Sequence, residues 1–201
     1  MVHDYLVNQL QISLTKEINS YIRLNSKNHK ENNDADEIIT YNEIAMLSLL
    51  KSALIRGKDS DSVWGIQEYQ VYNDRNEFSG RGDLFMMFRE AEFDCDILFE
   101  AKRVGAYKQP GKPYNEIAWG KELKEALDQG KDYFKAEERF FTEPSFVVTA
   151  FFETLEKNLK TDYDKIEMPN LCNNPYEYKL YVEFERSSKV LCVYGHIEQT
   201  L

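Results

Sequence analysis

The chain has 201 residues, and its 25 Lys and Arg stand against 35 Asp and Glu, giving a formal net charge of −10 at pH 7. Hydrophobic residues make up 42% and aromatic residues 13% of the chain, which suits a folded domain and excludes wholesale disorder. The excess of acid argues against a basic surface that coats nucleic acid or binds an anionic membrane.

Several other classes are excluded by missing patterns. No stretch approaches the roughly 18 apolar residues that a membrane span requires, and the N-terminus does not read as a secretory signal. We therefore expect a cytoplasmic protein with no membrane partner. The three cysteines and three histidines are scattered, which predicts neither a disulfide framework nor a zinc site.

Residues 1–37 are predicted to form a helix followed by a mobile polar loop. Apolar residues recur at spacings of three and four from Asp4 to Arg23, as in a helix with one buried face. Asn25 to Glu37 is polar and has little to bury. The second unit, residues 38–201, opens on Thr40-Tyr41-Asn42-Glu43, which fits the capping box of a second helix.

Residues 63–102 follow the pattern of β-strands. Three strands are predicted, at Val63–Tyr72, Gly82–Arg89 and Asp96–Lys102. Because their connections are short, we expect antiparallel pairing between neighbours.

The C-terminal half adds a loop, a long helix and three more strands. We place the loop at 104–114, the helix at 115–140, a strand at 145–152, a polar irregular segment at 153–174, and a closing hairpin at 178–185 and 189–197. This element order predicts an α/β fold: a three-layer α/β/α sandwich with a mixed central sheet.

Charged residues at one end of the second and third strands form the most informative pattern. Gly-Arg-Gly-Asp ends at Asp83, and Glu100-Ala101-Lys102 follows the apolar run Ile97-Leu98-Phe99. Strand side chains alternate, so Glu100 and Lys102 project to one face and Ala101 to the other. Antiparallel pairing brings Asp83 near Glu100, and two carboxylates suit Mg²⁺ or Mn²⁺. The Ala101 carbonyl is a further candidate ligand.

This pattern resembles the PD-(D/E)XK nuclease superfamily, which comprises metal-dependent phosphodiesterases with a restriction-endonuclease-like core. The resemblance implies that Asp83 and Glu100 bind Mg²⁺ or Mn²⁺ and that Lys102 is the catalytic lysine. It also implies that the substrate is DNA, whose phosphodiester bonds are hydrolysed by a metal-activated water. Gly82 stands where the nominal motif has proline.

Two further glutamates are candidate ligands under this resemblance. Members of the superfamily often carry a Glu on the first core helix, and Glu43 is the candidate here, with Glu68 on the first strand as the other. The capping box competes for Glu43, because a carboxylate bonded to its own N-cap amide is turned away from a metal. An outward-facing strand residue is the competing interpretation of Glu68.

Two groups of residues are candidate substrate contacts. Gln129 and Tyr133 are four residues apart and share a helix face; they resemble the Gln-x-x-x-Tyr element of RecB-like and lambda-exonuclease-like branches, which implies DNA-backbone contacts. The stretch 101–115 contains no acid and carries four cations, which could track a phosphate backbone: Lys102, Arg103, Lys108 and Lys112.

A second function class remains open at this stage. A nuclease-like fold without catalysis, acting as a binding or assembly module through a protein partner, agrees with the overall acidity. The oligomeric state is also open, and a second copy of the chain is one candidate partner.

Overall fold

The computed structural model describes residues 2–25, 43–56, 58, 61–72, 75, 77–91, 93–103, 116–137, 144–156, 176–185 and 189–200. In these ranges the chain is a mixed α/β fold with three helices and a six-stranded mixed sheet. In chain order the elements are α1 (Val2–Asn25), α2 (Glu43–Ile55), β1 (Val63–Tyr72), β2 (Phe78–Glu90), β3 (Phe93–Arg103), α3 (Glu116–Glu137), β4 (Ser145–Glu156), β5 (Tyr176–Glu183) and β6 (Lys189–Gln199). None of the described helices is long and apolar enough to cross a membrane.

The predicted elements are all present, but four strands are longer than predicted, namely β2, β3, β4 and β6, and β5 begins and ends two residues earlier than predicted. Strand β2 begins at Phe78 rather than Gly82, and β4 continues to Glu156. The prediction that residues 153–156 belong to an irregular segment is wrong, because they pair with residues 189–192 of β6. The capping residue Thr40, most of the loop at 25–37, and the stretch 104–115 lie outside the described residues.

The sheet order is β1-β2-β3-β4-β6-β5. Strands β3 and β4 are parallel, and every other neighbouring pair is antiparallel. The parallel pair requires a crossover connection, which contains α3. Strand β3, which carries Glu100, therefore lies between β2 and β4 in the interior of the sheet.

Alternate side chains of β3 enter two different hydrophobic clusters. Phe99 and Ala101 pack in a cluster with residues of α1 and α2, whereas Leu98 packs with Leu127 and Phe134 of α3. The predicted direction of Ala101 is therefore confirmed. Helix α3 packs against the side of β3 that carries Leu98 and, by alternation, Glu100.

Strand β1 changes the face to which its side chains point at Glu68. The Gln67 side chain accepts a hydrogen bond from Ser48 of α2 at 2.9 Å, while Tyr69 packs against the α3 cluster. Gln67 and Tyr69 are two positions apart, so in a regular strand their side chains would point to the same face. Glu68 between them has φ of 52°, and this left-handed residue reverses the alternation. Tyr69 is thereby directed toward the side of the sheet on which α3 packs.

Candidate functional site

Asp83 lies where the paired region of β2 and β3 ends. The described pairing of β2 with β3 ends with Leu84 opposite Phe99, and Asp83 immediately precedes Leu84 in β2. Its Oδ2 accepts a hydrogen bond from the backbone N–H of Ala101 at 2.8 Å. The Asp83 side chain thus replaces a backbone carbonyl as the hydrogen-bond acceptor of Ala101, the residue that follows Glu100. The two predicted carboxylates are brought to the same end of the hairpin.

Glu100 is fully buried beneath helix α3, with 0% of its surface exposed. A Cβ added at Gly130 would lie 3.3 Å from Glu100 Cγ and 2.6 Å from Val147 Cγ1. The helix backbone therefore approaches the sheet so closely that only glycine fits. A charged carboxylate in such a place is costly unless an opposite charge or hydrogen bonds compensate it.

Tyr133 of helix α3 lies close enough to both carboxylates for their charges to affect the pKa of its hydroxyl. Its hydroxyl oxygen accepts a hydrogen bond from Gln129 Nε2 at 2.9 Å, which confirms that the two residues share a helix face. Burial raises the pKa of the Tyr133 hydroxyl, the negative charges of Glu100 and Asp83 raise it further, and hydrogen bonds from Gln129 and the Arg81 backbone oppose these effects. Tyr133 therefore remains a neutral hydrogen-bond donor beside two acids.

The two glycines before Asp83 make room for tyrosine rings. A side chain at Gly80 would overlap the Tyr133 hydroxyl, and the φ of +157° at Gly80 also disfavours other residues. A side chain at Gly82 would overlap the ring of Tyr69. The absence of proline at position 82 thus has a steric reason in this chain.

The other predicted site residues either are exposed or have side chains outside the described part of the structure. Glu68 is exposed, and its Oε1 lies 3.7 Å from Arg81 Nη1. The side chains of Glu43, Lys102 and Arg103, although their backbones belong to α2 and β3, are outside the described part of the structure. Lys108 and Lys112 also lie outside the described residues.

The donor chemistry of the site fits a divalent cation. Asp83 and Glu100 offer carboxylate oxygens, the ligand type that Mg²⁺ and Mn²⁺ prefer. Mg²⁺ commonly uses only one or two protein carboxylates and keeps several waters. Within the described residues, no group of three or more His, Cys, Asp or Glu is arranged to hold a metal. A divalent ion here would be held by few protein ligands, and Asp83 and Glu100 are the candidates.

The contact of Tyr133 with Gly80 was not predicted from the sequence. A second contact that was not predicted is that of the Tyr69 ring with Gly82. It depends on the reversal of β1 at Glu68, and nothing in the residue type of a glutamate predicts a left-handed backbone. The close packing at Gly130 could have been predicted, because an isolated glycine within a helix pattern often marks close packing.

Comparisons of the chain with protein-family models, with curated proteins and with solved structures give no significant match.

Proposed function

We propose that this chain is a Mg²⁺- or Mn²⁺-dependent deoxyribonuclease of the PD-(D/E)XK type, which hydrolyses phosphodiester bonds of DNA. The observation that supports this most strongly is the hydrogen bond from Ala101 N to Asp83 Oδ2, at 2.8 Å. It joins the two strand ends that carry the acidic residues, and these residues would share the proposed cation.

A three-layer α/β/α core of the restriction-endonuclease-like type is part of the proposal. Its support is the division of β3 side chains between a cluster containing α1 and α2 residues and another containing α3 residues. The order of two helices, three antiparallel strands, a helix and a parallel strand also agrees with it.

Asp83 and Glu100 would hold the metal ion, with the Ala101 carbonyl as a further candidate ligand. The bound ion supplies a lowered pKa for water and charge stabilisation at the scissile phosphate. Lys102 follows Ala101 on β3 and is assigned, from the resemblance, to orient the attacking water and to offset negative charge on the phosphate.

Tyr133 and Gln129 would position the substrate. The Tyr133 oxygen accepts hydrogen bonds from Gln129 and from the Arg81 backbone, so its own proton is directed to another acceptor. A phosphate oxygen is such an acceptor, and binding there would place the DNA backbone beside Asp83 and Glu100.

Cleavage assays with matched variants test this function. Purified protein is incubated with plasmid and with linear single- and double-stranded DNA, in Mg²⁺, in Mn²⁺ and in EDTA. We expect metal-dependent cleavage that falls at least about a hundredfold in Asp83→Asn and in Lys102→Ala, because each removes a charge that acts in the transition state. The control is Asp94→Asn, which changes an exposed aspartate of β3 and should leave cleavage unchanged. Cleavage that survives both Asp83→Asn and Lys102→Ala would refute the proposal.

A non-catalytic nuclease-fold module that binds a protein partner is the second candidate, and the net charge of −10 favours it. It predicts that Mn²⁺ leaves the melting temperature unchanged, since no ion is bound. Proposed metal binding instead raises the melting temperature through preferential binding to the folded state. A rise that is lost in Asp83→Asn would exclude the module interpretation.

A further inference from the structure

An exposed apolar surface lies on the β1–β2 hairpin. Trp64 and Ile66 of β1 are 48% and 39% exposed, although both are large hydrophobic residues. Their cross-strand partners are Met87 and Phe85, which are partly exposed. We call these four residues the aromatic surface: Trp64, Ile66, Phe85 and Met87.

The aromatic surface is on the side of the sheet that α3 packs against. Val63 packs in the cluster with α1 and α2, and a side chain at Gly65 would overlap Met86 of the same cluster. Trp64 and Ile66 alternate with these residues and so point to the opposite side. That is the side of Leu98 and Glu100 on β3.

The surface is continuous with the candidate site. The ring of Phe85 lies 5.9 Å from that of Tyr69, centroid to centroid, and Tyr69 packs in the cluster that contains Tyr133. Along β2, Phe85 is two residues from Asp83, which is about 7 Å at the rise of a strand. A ligand on the surface would therefore lie within a few nucleotides of a phosphate held at Asp83.

Among the described residues near the surface, the cations are accompanied by acids. Arg89 is paired with Asp94 at 3.4 Å and with Asp96 at 2.7 Å, so acids accompany this cation. Arg81, two residues before Asp83, has 63% of its side chain exposed and a 3.7 Å pair to Glu68, and among the described side chains it is a candidate for a phosphate contact. Stacking of bases on aromatic rings does not depend on charge, and it is therefore the source of affinity that suits these described residues.

We propose that the aromatic surface binds unpaired bases of a single-stranded or frayed DNA substrate by stacking, with Trp64 as the principal contact and Arg81 beside a phosphate. This rests on the proposed nuclease function and names its substrate class. A duplex hides its base faces within the stack, so it cannot use this surface without opening.

Binding assays in EDTA test the proposal separately from cleavage. Fluorescence anisotropy is measured with a labelled 12-nucleotide single strand and with the duplex of the same sequence. We expect the single strand to bind at least tenfold more tightly, and Trp64→Ala to weaken single-strand binding about five- to 150-fold, the range reported by alanine substitution at stacked aromatic contacts. Trp64→Phe retains a ring and should bind within a few-fold of wild type. Ile12→Ala, at an apolar residue of α1 that is 40% exposed, is the matched control and should bind like wild type.

Fluorescence of Trp64 gives a direct signal. The chain has 2 tryptophans, and Trp119→Phe leaves Trp64 as the remaining one. The single strand should quench this fluorescence, and the duplex should not.

Three outcomes would overturn the proposal. They are equal affinity for strand and duplex, wild-type affinity in Trp64→Ala, and a wild-type dimer that Trp64→Ala dissociates in sedimentation without affecting DNA binding. The last outcome would assign the surface to a second copy of the chain. Because binding is measured without metal, it does not depend on catalysis. Intact single-strand binding together with no cleavage in the Mg²⁺ and Mn²⁺ assays would refute the proposed catalysis and leave the stacking surface standing.

Discussion

Gly130 is the residue that lets helix α3 approach the candidate site. Elsewhere in a helix, replacing glycine by alanine gains about 1 kcal/mol. Here the added methyl would press on Val147 and Glu100, at 2.6 and 3.3 Å. We expect Gly130→Ala to lower the free energy of unfolding by about 1–3 kcal/mol, the usual cost of overpacking.

Urea denaturation measures this effect. The exposed Asp128 of the same helix provides the control, since Asp128→Ala should change stability by less than about 0.5 kcal/mol. If Gly130→Ala proves as stable as wild type or more so, the close approach of α3 to Glu100 is wrong.

His196 is a second buried residue with a measurable consequence. It is 0% exposed on β6, and its Nε2 lies 3.9 Å from Glu177 Oε1. Burial lowers the pKa of His196 from 6.5 to about 4. The unfolded chain therefore binds the proton near pH 6.5, whereas the folded protein binds it only near pH 4. The contribution of His196 to stability is complete above pH 6.5 and is lost progressively as the pH falls toward 4.

Between pH 7.5 and pH 5 this linkage amounts to about 2 kcal/mol. We expect stability to fall by about that much more in wild type than in His196→Leu, which does not titrate. Chemical denaturation at the two pH values provides the comparison, and the carboxylates common to both proteins cancel in the difference. Identical pH dependence of the two proteins would show that His196 is not buried in its neutral form.

At the scale of elements, strand β1 is shaped by the left-handed backbone at Glu68. A non-glycine residue costs about 1–2 kcal/mol in that conformation. Glu68→Ala and Glu68→Gly both remove the exposed pair to Arg81, so their difference isolates the backbone. We expect Glu68→Gly to be more stable than Glu68→Ala by about 0.5–1 kcal/mol, after allowance for the greater chain entropy of glycine.

The order of the two substitutions should reverse at Gln70, an exposed residue of the same strand with no positive φ. There alanine should be the more stable, because glycine weakens an ordinary strand. Thermal or urea unfolding of the four variants decides the matter. The same order at both positions would contradict a reversal of β1 at Glu68.

The bounds of some elements could be predicted from their sequences, and those of others could not. Strand β1 and the closing hairpin follow from runs of β-branched and aromatic residues, and the bounds predicted for β1, Val63–Tyr72, are those observed. The extension of β4 to Glu156 was missed, since residues 153–156 lack a strand-like hydrophobic pattern and belong to β4 through their pairing with β6. Pairing is a long-range property that local composition does not contain.

The proximity of the candidate residues was predictable from the sequence, but the detailed geometry around them was predictable only in part. The approach of Asp83 to Glu100 follows from an antiparallel hairpin, and the Gln129–Tyr133 contact follows from helical spacing. The packing of Tyr133 against Gly80 and of Tyr69 against Gly82 depends on backbone torsions at Gly80 and Glu68. Neither torsion is a consequence of hydrophobic pattern.

At the scale of the whole molecule, the charge of −10 has a different meaning once the site is located. Acidic residues argue against a DNA-coating surface, but two of them, Asp83 and Glu100, lie where a cation would be useful. The charge thus agrees with the proposal that the protein gains positive charge from a metal ion and binds DNA mainly through stacked bases. Such a protein should lose affinity for single-stranded DNA only weakly as salt rises.

The central claim is that Asp83 and Glu100 share one divalent ion, and calorimetric titration with Mn²⁺ tests it most directly. We predict that wild type and the control Asp94→Asn bind Mn²⁺ at one site, and that Asp83→Asn and Glu100→Gln each lose this site while remaining folded by circular dichroism. Undiminished Mn²⁺ binding by both Asp83→Asn and Glu100→Gln, or no binding by the wild-type protein, would contradict the account.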